Sequence, residues 1–177
     1  MDSAEEETRK QRLIIVAMDE SEESIRALQW ALRNICAAQD RLMILHAQRP
    51  ASHYMKAGGP AYSLPTDMVR IFELDIKRAA EKIFKRATEM CKNKEVVLET
   101  KAVTGDARQV ICEAVKRCNS DILVLGSHGY GPLKRAFLGS VSDHCVHHVQ
   151  CPVLVVKSGK SNWRNSGGAE NGSIVLK

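Results

Sequence analysis

The residues best suited to chemistry lie in a glycine-rich stretch near position 130. A short apolar run, Ile122–Leu125, precedes it and is typical of a buried strand. Gly-Ser-His-Gly-Tyr-Gly follows at positions 126–131, and Gly-Ser-Val-Ser stands at positions 139–142, where a helix is expected to begin. Glycines let a phosphate approach the backbone, and the free N–H groups of a helix start favour an anion. The order of strand, glycine-rich turn and helix start therefore predicts a phosphate-binding site.

Two common phosphate motifs do not fit this stretch. A P-loop needs Gly-Lys-Ser/Thr after four spacer residues, and the dinucleotide fingerprint has a different glycine spacing. The candidate phosphate ligands act mainly through backbone N–H groups, with hydroxyl groups added by the serines: Gly126, Gly129, Gly131, Gly139, Ser140 and Ser142. A plain strand-to-helix turn with a serine cap is the alternative interpretation.

Other polar clusters carry weaker signals. His144, His147 and His148 lie close together, but a zinc site needs further ligands at fixed geometry, so we interpret them as solvated or lightly packed. Lys134 and Arg135 either screen phosphate charge or are exposed helix cations. The chain shows no nucleophile elbow, Walker lysine or paired catalytic carboxylates, which favours a binding protein over a fast enzyme.

The elements that must position these residues alternate between strand and helix. Strands are predicted at 13–18, 42–47, 96–103, 122–125 and 153–157, with helices after Ser21, over 67–93, over 105–118 and over 140–149. Such alternation predicts a doubly wound α/β fold with an open parallel five-stranded sheet. Ligands bind such sheets beyond the strand carboxyl ends, where the winding reverses. If it reverses between the first and fourth strands, Asp19 and the Gly126 loop face one crevice.

Composition sets further bounds. The chain has 177 residues, enough for one domain with a real core, and a net charge of +5 spread along its length, which does not indicate nucleic-acid binding. No apolar run is long enough to span a membrane, and residues 1–12 are polar throughout, so we expect a location in the cytoplasm, with the nucleus also open. The six cysteines form no CxxC pair and are predicted to be free thiols.

The glycine motif, Gly-Ser-His-Gly followed by Leu-Gly-Ser-Val-Ser, and the segment Cys151–Lys157 resemble the universal stress protein family, in particular the plant single-domain members that bind nucleotides. The resemblance covers roughly residues 12–157. It implies a Rossmann-like sheet of order 3-2-1-4-5, related to the adenine nucleotide alpha-hydrolases. Residues 1–12 are then a flexible lead-in, 13–157 the universal stress protein domain, and 158–177 a disordered tail rich in Gly, Ser and Asn.

The resemblance also implies a ligand, ATP or AMP, with Mg²⁺ carried by the nucleotide. Asp19 matches the family's acidic residue near the ribose and adenine, although it could instead be a helix-capping aspartate. Ala17 lies where many nucleotide-binding relatives have proline, and Ala47 where backbone atoms meet the adenine edge. The remaining implied nucleotide-binding residues come from the glycine loop and the helix start: Gly126, Ser127, His128, Gly129, Tyr130, Gly131, Gly139, Ser140, Val141 and Ser142.

Three functions remain open at this point. The first is a homodimeric ATP- or AMP-binding stress-response or signalling module. The second is a slow ATP hydrolase, although the Ser-Gly-Gly-x-Asp-Ser loop of that class is absent after the first strand. The third is a nucleotide-independent chaperone or adaptor. The fifth strand (Val153, Leu154, Val155 and Val156) is predicted to be an open edge that pairs two copies, unless the apolar 174–176 segment covers it.

Overall fold

The structure is a computed structural model, and it describes residues 11–50, 66–127, 138–157 and 173–176. Its strands are β1 (Leu13–Ala17), β2 (Arg41–Gln48), β3 (Val97–Thr104), β4 (Ile122–Gly126), β5 (Val153–Lys157) and β6 (Ser173–Leu176). Its helices, within those ranges, are α1 (Glu22–Asn34), α2 (Thr66–Cys91), α3 (Ala107–Cys118) and α4 (Ser140–His148).

The strands form one sheet in the order β3-β2-β1-β4-β5-β6, and the first five are parallel. This confirms the predicted doubly wound fold and its 3-2-1-4-5 order. β1 pairs with β2 on one side and with β4 on the other, with Val16 opposite both Ile44 and Val124. The winding therefore reverses between β1 and β4, and a crevice forms beyond their carboxyl ends.

The end of the chain corrects two predictions. Residues 173–176, predicted to belong to a disordered tail, form β6, which pairs antiparallel with β5. The fifth strand is consequently not the open edge that was predicted, and the alternative, an edge covered by residues 174–176, is the one observed. An uncovered edge leaves backbone N–H and C=O groups without partners, and residues 173–176 supply those partners. The residue types Ile174 and Val175 are β-branched and therefore favour a strand.

Apolar side chains alternate across the sheet and bury both of its faces. Ile14, Val16 and Leu42 pack on one face against α1 and α2, whereas Leu13, Ile15 and Leu45 pack on the other against α3 and α4. β3 lies at one edge of the sheet and has no fully buried residue, as expected for an edge strand. None of the described helices, including the long α2, is long and apolar enough to cross a membrane.

The cysteines belong to this packing. All six are free thiols, and Cys91 and Cys145 are buried. Burial raises the pKa of Cys36 to about 11, and it also raises the pKa of the Cys145 thiol. Since the thiolate is the reactive form, a raised pKa makes these side chains behave as small apolar residues in the core.

At the amino ends of the strands, far from the crevice, Arg12 and Asp40 form an ion pair. The Arg12 guanidinium donates to both carboxylate oxygens, at 3.3 Å from Nε and 2.5 Å from Nη2, and also to the Ile35 carbonyl at 2.8 Å. The Asp40 side chain is only 3% exposed and accepts a further hydrogen bond from the Ala37 N–H. Burial alone would raise the pKa of Asp40, but these hydrogen bonds outweigh it and hold the pKa below its usual range.

We expect Asp40→Asn to lower the free energy of unfolding at pH 7 by about 1–2 kcal/mol, because the charged partner of Arg12 is lost. A lowered folded-state pKa means that the ionised carboxylate stabilises the fold above the unfolded pKa of about 4, and that this contribution disappears as the pH falls through the folded pKa. Urea unfolding of both proteins at pH 7 and in acid measures this. The gap should close in acid, and a gap independent of pH would contradict the assignment.

Candidate functional site

The crevice begins where β1 and β4 end side by side. After β1, the Met18 N–H still donates to the Leu45 carbonyl at 2.9 Å, and after β4 the Ser127 N–H donates to the Val156 carbonyl at 2.9 Å. The segments that follow β1 and β4 are therefore each hydrogen-bonded to a neighbouring strand one residue beyond the strand end. Asp19 follows directly on one side, as the sequence predicted.

Asp19 is fixed by the first turn of α1. Its Oδ1 accepts hydrogen bonds from the Ser21 N–H, at 3.0 Å, and from the Ser21 hydroxyl. The Ser24 hydroxyl accepts from the Asp19 N–H at 3.3 Å and lies 2.9 Å from the Asp19 carbonyl. Asp19 thus does serve the helix start, the alternative that the sequence left open. Within the described ranges no hydrogen bond reaches Oδ2, so one carboxylate oxygen can still accept from a ligand.

His46, on β2, has a positioning role for its side chain, whereas the resemblance pointed only to backbone atoms at the end of this strand. Its Nδ1 lies 2.8 Å from the Met18 carbonyl oxygen. A carbonyl can only accept, so Nδ1 carries the proton, and Nε2 is an acceptor in the neutral ring. This bond fixes the peptide that leads into Asp19. The available signal in the sequence was a histidine directly after the apolar run Leu42–Leu45.

Ala17 and Ala47 lie near the carboxyl ends of β1 and β2, as predicted. Both are half-buried and pack on the sheet face that α3 and α4 cover. Neither side chain carries a polar group. A polar contact from these positions to a ligand can therefore come only from backbone atoms.

Close packing explains why position 126 is a glycine, and the sequence did not reveal this contact. A Cβ at this position would lie 2.8 Å from the Glu23 carbonyl carbon and 3.0 Å from the Ser24 nitrogen, both backbone atoms of α1. The first turn of α1 therefore lies directly against the end of β4. This contact requires a glycine whether or not a phosphate binds nearby.

The two ends of the glycine loop are joined at its base. The Ser127 carbonyl accepts from the Gly139 N–H at 2.6 Å, and the Ser142 hydroxyl lies 3.0 Å from the Gly139 carbonyl and 3.3 Å from that of Ser127. Ser142 is 3% exposed, and its hydroxyl, which was predicted to contact phosphate, holds the base of the loop in this structure. His128, Gly129, Tyr130 and Gly131, like Lys134 and Arg135, lie outside the described residues.

The start of α4 differs from the starts of α1 and α3. Ser21 and Asp106 cap those two helices with side-chain hydrogen bonds, whereas Gly139, the residue before α4, has no side chain to do so. The first N–H groups of an α-helix have no acceptor within the helix, and those at the start of α4 belong to Ser140, Val141 and Ser142. Ser140 is exposed. Together with the helix dipole, these donors suit an anion.

The histidines of α4 interact with their own helix. The His144 and His148 rings stack with centroids 3.9 Å apart, and the Nδ1 atoms of His147 and His148 donate to backbone carbonyls one turn earlier. The part of the chain that the structure describes contains no group of three or more His, Cys, Asp or Glu residues that could hold a metal ion.

A small cleft adjoins the site between the end of β1 and α2. It is lined by Asp19 together with apolar and charged side chains, namely Met18, Glu20, Ile25, Lys82, Ile83 and Arg86. Lys82 lies 3.8 Å from Glu20, and Arg86 lies 3.4 Å from Glu22, so both cations face the acidic start of α1. Asp19 thus borders this cleft as well as the carboxyl end of β1.

Comparison with known proteins places this geometry in a family. The model of the universal stress protein family matches residues 11–157. The chain belongs to the universal stress protein family. Within it, the Arabidopsis thaliana "universal stress protein A-like protein" is 32% identical over 135 residues, which cover 75% of this chain and 77% of that protein.

Two solved structures share this fold. Hypothetical protein MJ0577 superposes with a TM-score of 0.70 at 21% identity, covering 85% of this chain and 98% of its own. A universal stress protein family protein from Arabidopsis thaliana, solved with AMP bound, superposes with a TM-score of 0.61 at 27% identity, covering 84% of this chain and 93% of its own. The universal stress protein fold described above is therefore shared with a protein that holds an adenine nucleotide.

Proposed function

We propose that this universal stress protein binds an adenine nucleotide, AMP or ATP, as a stress-response or signalling module. The observation that carries the proposal is the uncapped start of α4, which lies beyond the carboxyl end of β4 and beside the crevice that Asp19 borders. The AMP-bound Arabidopsis thaliana relative supports adenine as the base.

The described residues fit the parts of such a ligand. The N–H groups of Ser140 and Val141 would hold phosphate oxygens, because they have no acceptor within the helix. The free oxygen of Asp19 would accept a ribose hydroxyl. The backbone near Ala17 and Ala47 would meet the adenine. Mg²⁺ would be carried by the phosphates of the nucleotide, because this cation binds oxygen ligands such as phosphates.

The direct test is to release and identify the nucleotide that co-purifies, and then to follow ADP formation from added ATP over hours. Bound AMP or ATP without ADP release supports the binding module, and it separates this function from slow hydrolysis, in which ADP accumulates. Protein that purifies without nucleotide and binds none in calorimetry would contradict the proposal and favour a nucleotide-independent adaptor.

Asp19→Asn tests the ribose contact with little change to the fold. The amide oxygen can still accept from Ser21, so α1 remains capped, while the charge that strengthens a bond to a ribose hydroxyl is removed. We expect AMP affinity to fall by roughly five- to tenfold, or about 1–1.4 kcal/mol. Asp106→Asn is the matched control, because Asp106 caps α3 after the edge strand β3. Equal affinities of both variants would reject the role of Asp19.

A further inference from the structure

The outer side of β3 presents backbone groups that can pair with another strand. Toward β2, the Val97 N–H donates to the Asp40 carbonyl at 2.9 Å, and the parallel register continues to Thr104. The N–H and C=O of one strand residue point to the same side, and successive residues alternate. The groups that face away from β2 therefore belong to Leu98, Thr100, Ala102 and Thr104. In the part of the chain that the structure describes, β3 is the last strand on this side of the sheet, and the last three of these residues are exposed.

The odd-numbered residues of β3 place two opposite charges close to this edge. They point to the sheet face that α3 and α4 cover, where Val103 packs. Glu99 accepts there from the Nε and Nη2 of Arg41, at 3.1 and 2.6 Å, and both bonds use Oε1. Among the described residues none donates to Oε2, so this oxygen can accept from a further cation. Lys101 follows two residues later on the same face and forms no ion pair with any described residue.

A second copy of the chain complements this edge when a two-fold axis passes through Thr100. The two β3 strands then run antiparallel, and the two copies of Thr100 face each other and exchange both N–H···O bonds. Glu99 of each copy lies opposite Lys101 of the other copy. Val97, which is 43% exposed, lies opposite Val103 of the other copy. Cross-strand pairs of opposite charge and of β-branched residues both stabilise an antiparallel sheet.

The charges favour this register over its neighbours. A slide of the two strands by two residues brings either Glu99 opposite Glu99 of the other copy or Lys101 opposite Lys101 of the other copy, and like charges at such a pair are destabilising. A slide by one residue sets the outward groups of one strand against groups that already bond to β2. On the other face of the sheet α2 contacts both β2 and β3. The α2 helices of the two copies would therefore lie about two strand spacings apart, roughly 10 Å, a distance at which helices pack.

We propose that the outer side of β3 is a contact surface for a second copy of this chain, with the two strands antiparallel about Thr100 and with Glu99 paired to Lys101 of the other copy. The complementary charges identify the partner, because a two-fold axis brings them together only when both strands carry the same sequence. This inference does not depend on nucleotide binding, and it concerns β3 whether or not copies also meet through another surface.

Two charge-reversed variants of the full chain test the pairing. Glu99→Lys sets lysines opposite each other and Lys101→Glu sets glutamates opposite each other, so each variant alone should associate through β3 roughly tenfold or more weakly than wild type. In an equal mixture of the two variants, every cross-strand pair between unlike copies again joins opposite charges, so the mixed pair should associate as wild type does. Glu113→Lys is the matched control, because it makes the same charge change at an exposed position of α3 and should leave the association unchanged.

Sedimentation equilibrium over a concentration series measures this, after a thermal melt has shown that each variant is folded. The weight-average mass should be lower for each charge-reversed variant than for wild type, and it should return to the wild-type value in the mixture. If the mixture has the same weight-average mass as the separate variants, or if the separate variants have the mass of wild type, the pairing through β3 is wrong.

Residue-resolved amide hydrogen exchange of the wild-type chain locates the contact without any substitution. The N–H groups of Thr100 and Ala102 should become more protected as the protein concentration rises, because they donate to the other copy. Those of Glu99 and Lys101 donate to β2 at every concentration, so their protection should stay constant. Protection of Thr100 and Ala102 that does not change with concentration would reject the proposal.

Discussion

Replacing Gly126 with valine should lower the free energy of unfolding by about 3 kcal/mol or more. The first carbon of the new side chain would lie 2.8–3.0 Å from backbone atoms of Glu23 and Ser24. Backbone in the first turn of a packed helix cannot rotate away as a side-chain tip can, so α1 or the end of β4 must move. Because α1 also fixes Asp19, the displacement should disturb the crevice as well as the core.

Urea unfolding of Gly126→Ala and Gly126→Val measures this effect as a graded series. Alanine should cost roughly 1–3 kcal/mol and valine more. Gly139→Ala is the matched control, because Gly139 has φ −73°, a value that any residue adopts, and its cost should stay near or below ~1 kcal/mol. If valine at position 126 is tolerated as well as alanine at position 139, the close approach of α1 to β4 is wrong.

Gly139→Asp should weaken AMP binding by roughly thirty- to hundredfold, or about 2–2.7 kcal/mol, while the fold remains intact. An aspartate before the first residue of α4 would accept from the N–H groups of Val141 or Ser142 and would place a negative charge where the phosphate is proposed to bind. Helix capping by aspartate is slightly better than by glycine, so thermal stability should hold or rise. This prediction depends on the proposed nucleotide function.

Gly139→Asn separates the charge from the cap. Asparagine caps as well as aspartate but is neutral, so it should weaken AMP binding less. Calorimetry with AMP and a thermal melt of each variant give the two readouts. Unchanged AMP affinity in folded Gly139→Asp would remove α4 from the binding site, even if the nucleotide binds elsewhere in the crevice.

The sequence predicted well what depends on neighbours along the chain. Ser21 and Asp106 stand at the starts of α1 and α3 because their side chains satisfy N–H groups two or three residues away. The alternation of strands and helices indicated the parallel sheet. The strand order, by contrast, came from the resemblance, because alternation alone permits more than one winding.

What the sequence missed depends on contacts between distant segments. Residues 173–176 lie in a stretch rich in Gly, Ser and Asn, and only the presence of the β5 edge makes them a strand. Gly126 and Ser142 have types that suit a phosphate loop, yet the glycine is required by the approach of α1 and the hydroxyl by the base of the loop. Composition cannot distinguish a glycine that admits a ligand from one that admits a helix.

The hydrogen bond between the Gly139 N–H and the Ser127 carbonyl has a consequence for how this loop can evolve. This bond joins the residues that flank the segment 128–137. The positions of the sheet and of α4 therefore do not depend on the sequence of that segment. Closing a loop costs only about 0.6 kcal/mol more for each doubling of its length. Insertions and deletions between Ser127 and Gly139 should therefore cost the fold little, and the sequence there can diversify independently of stability.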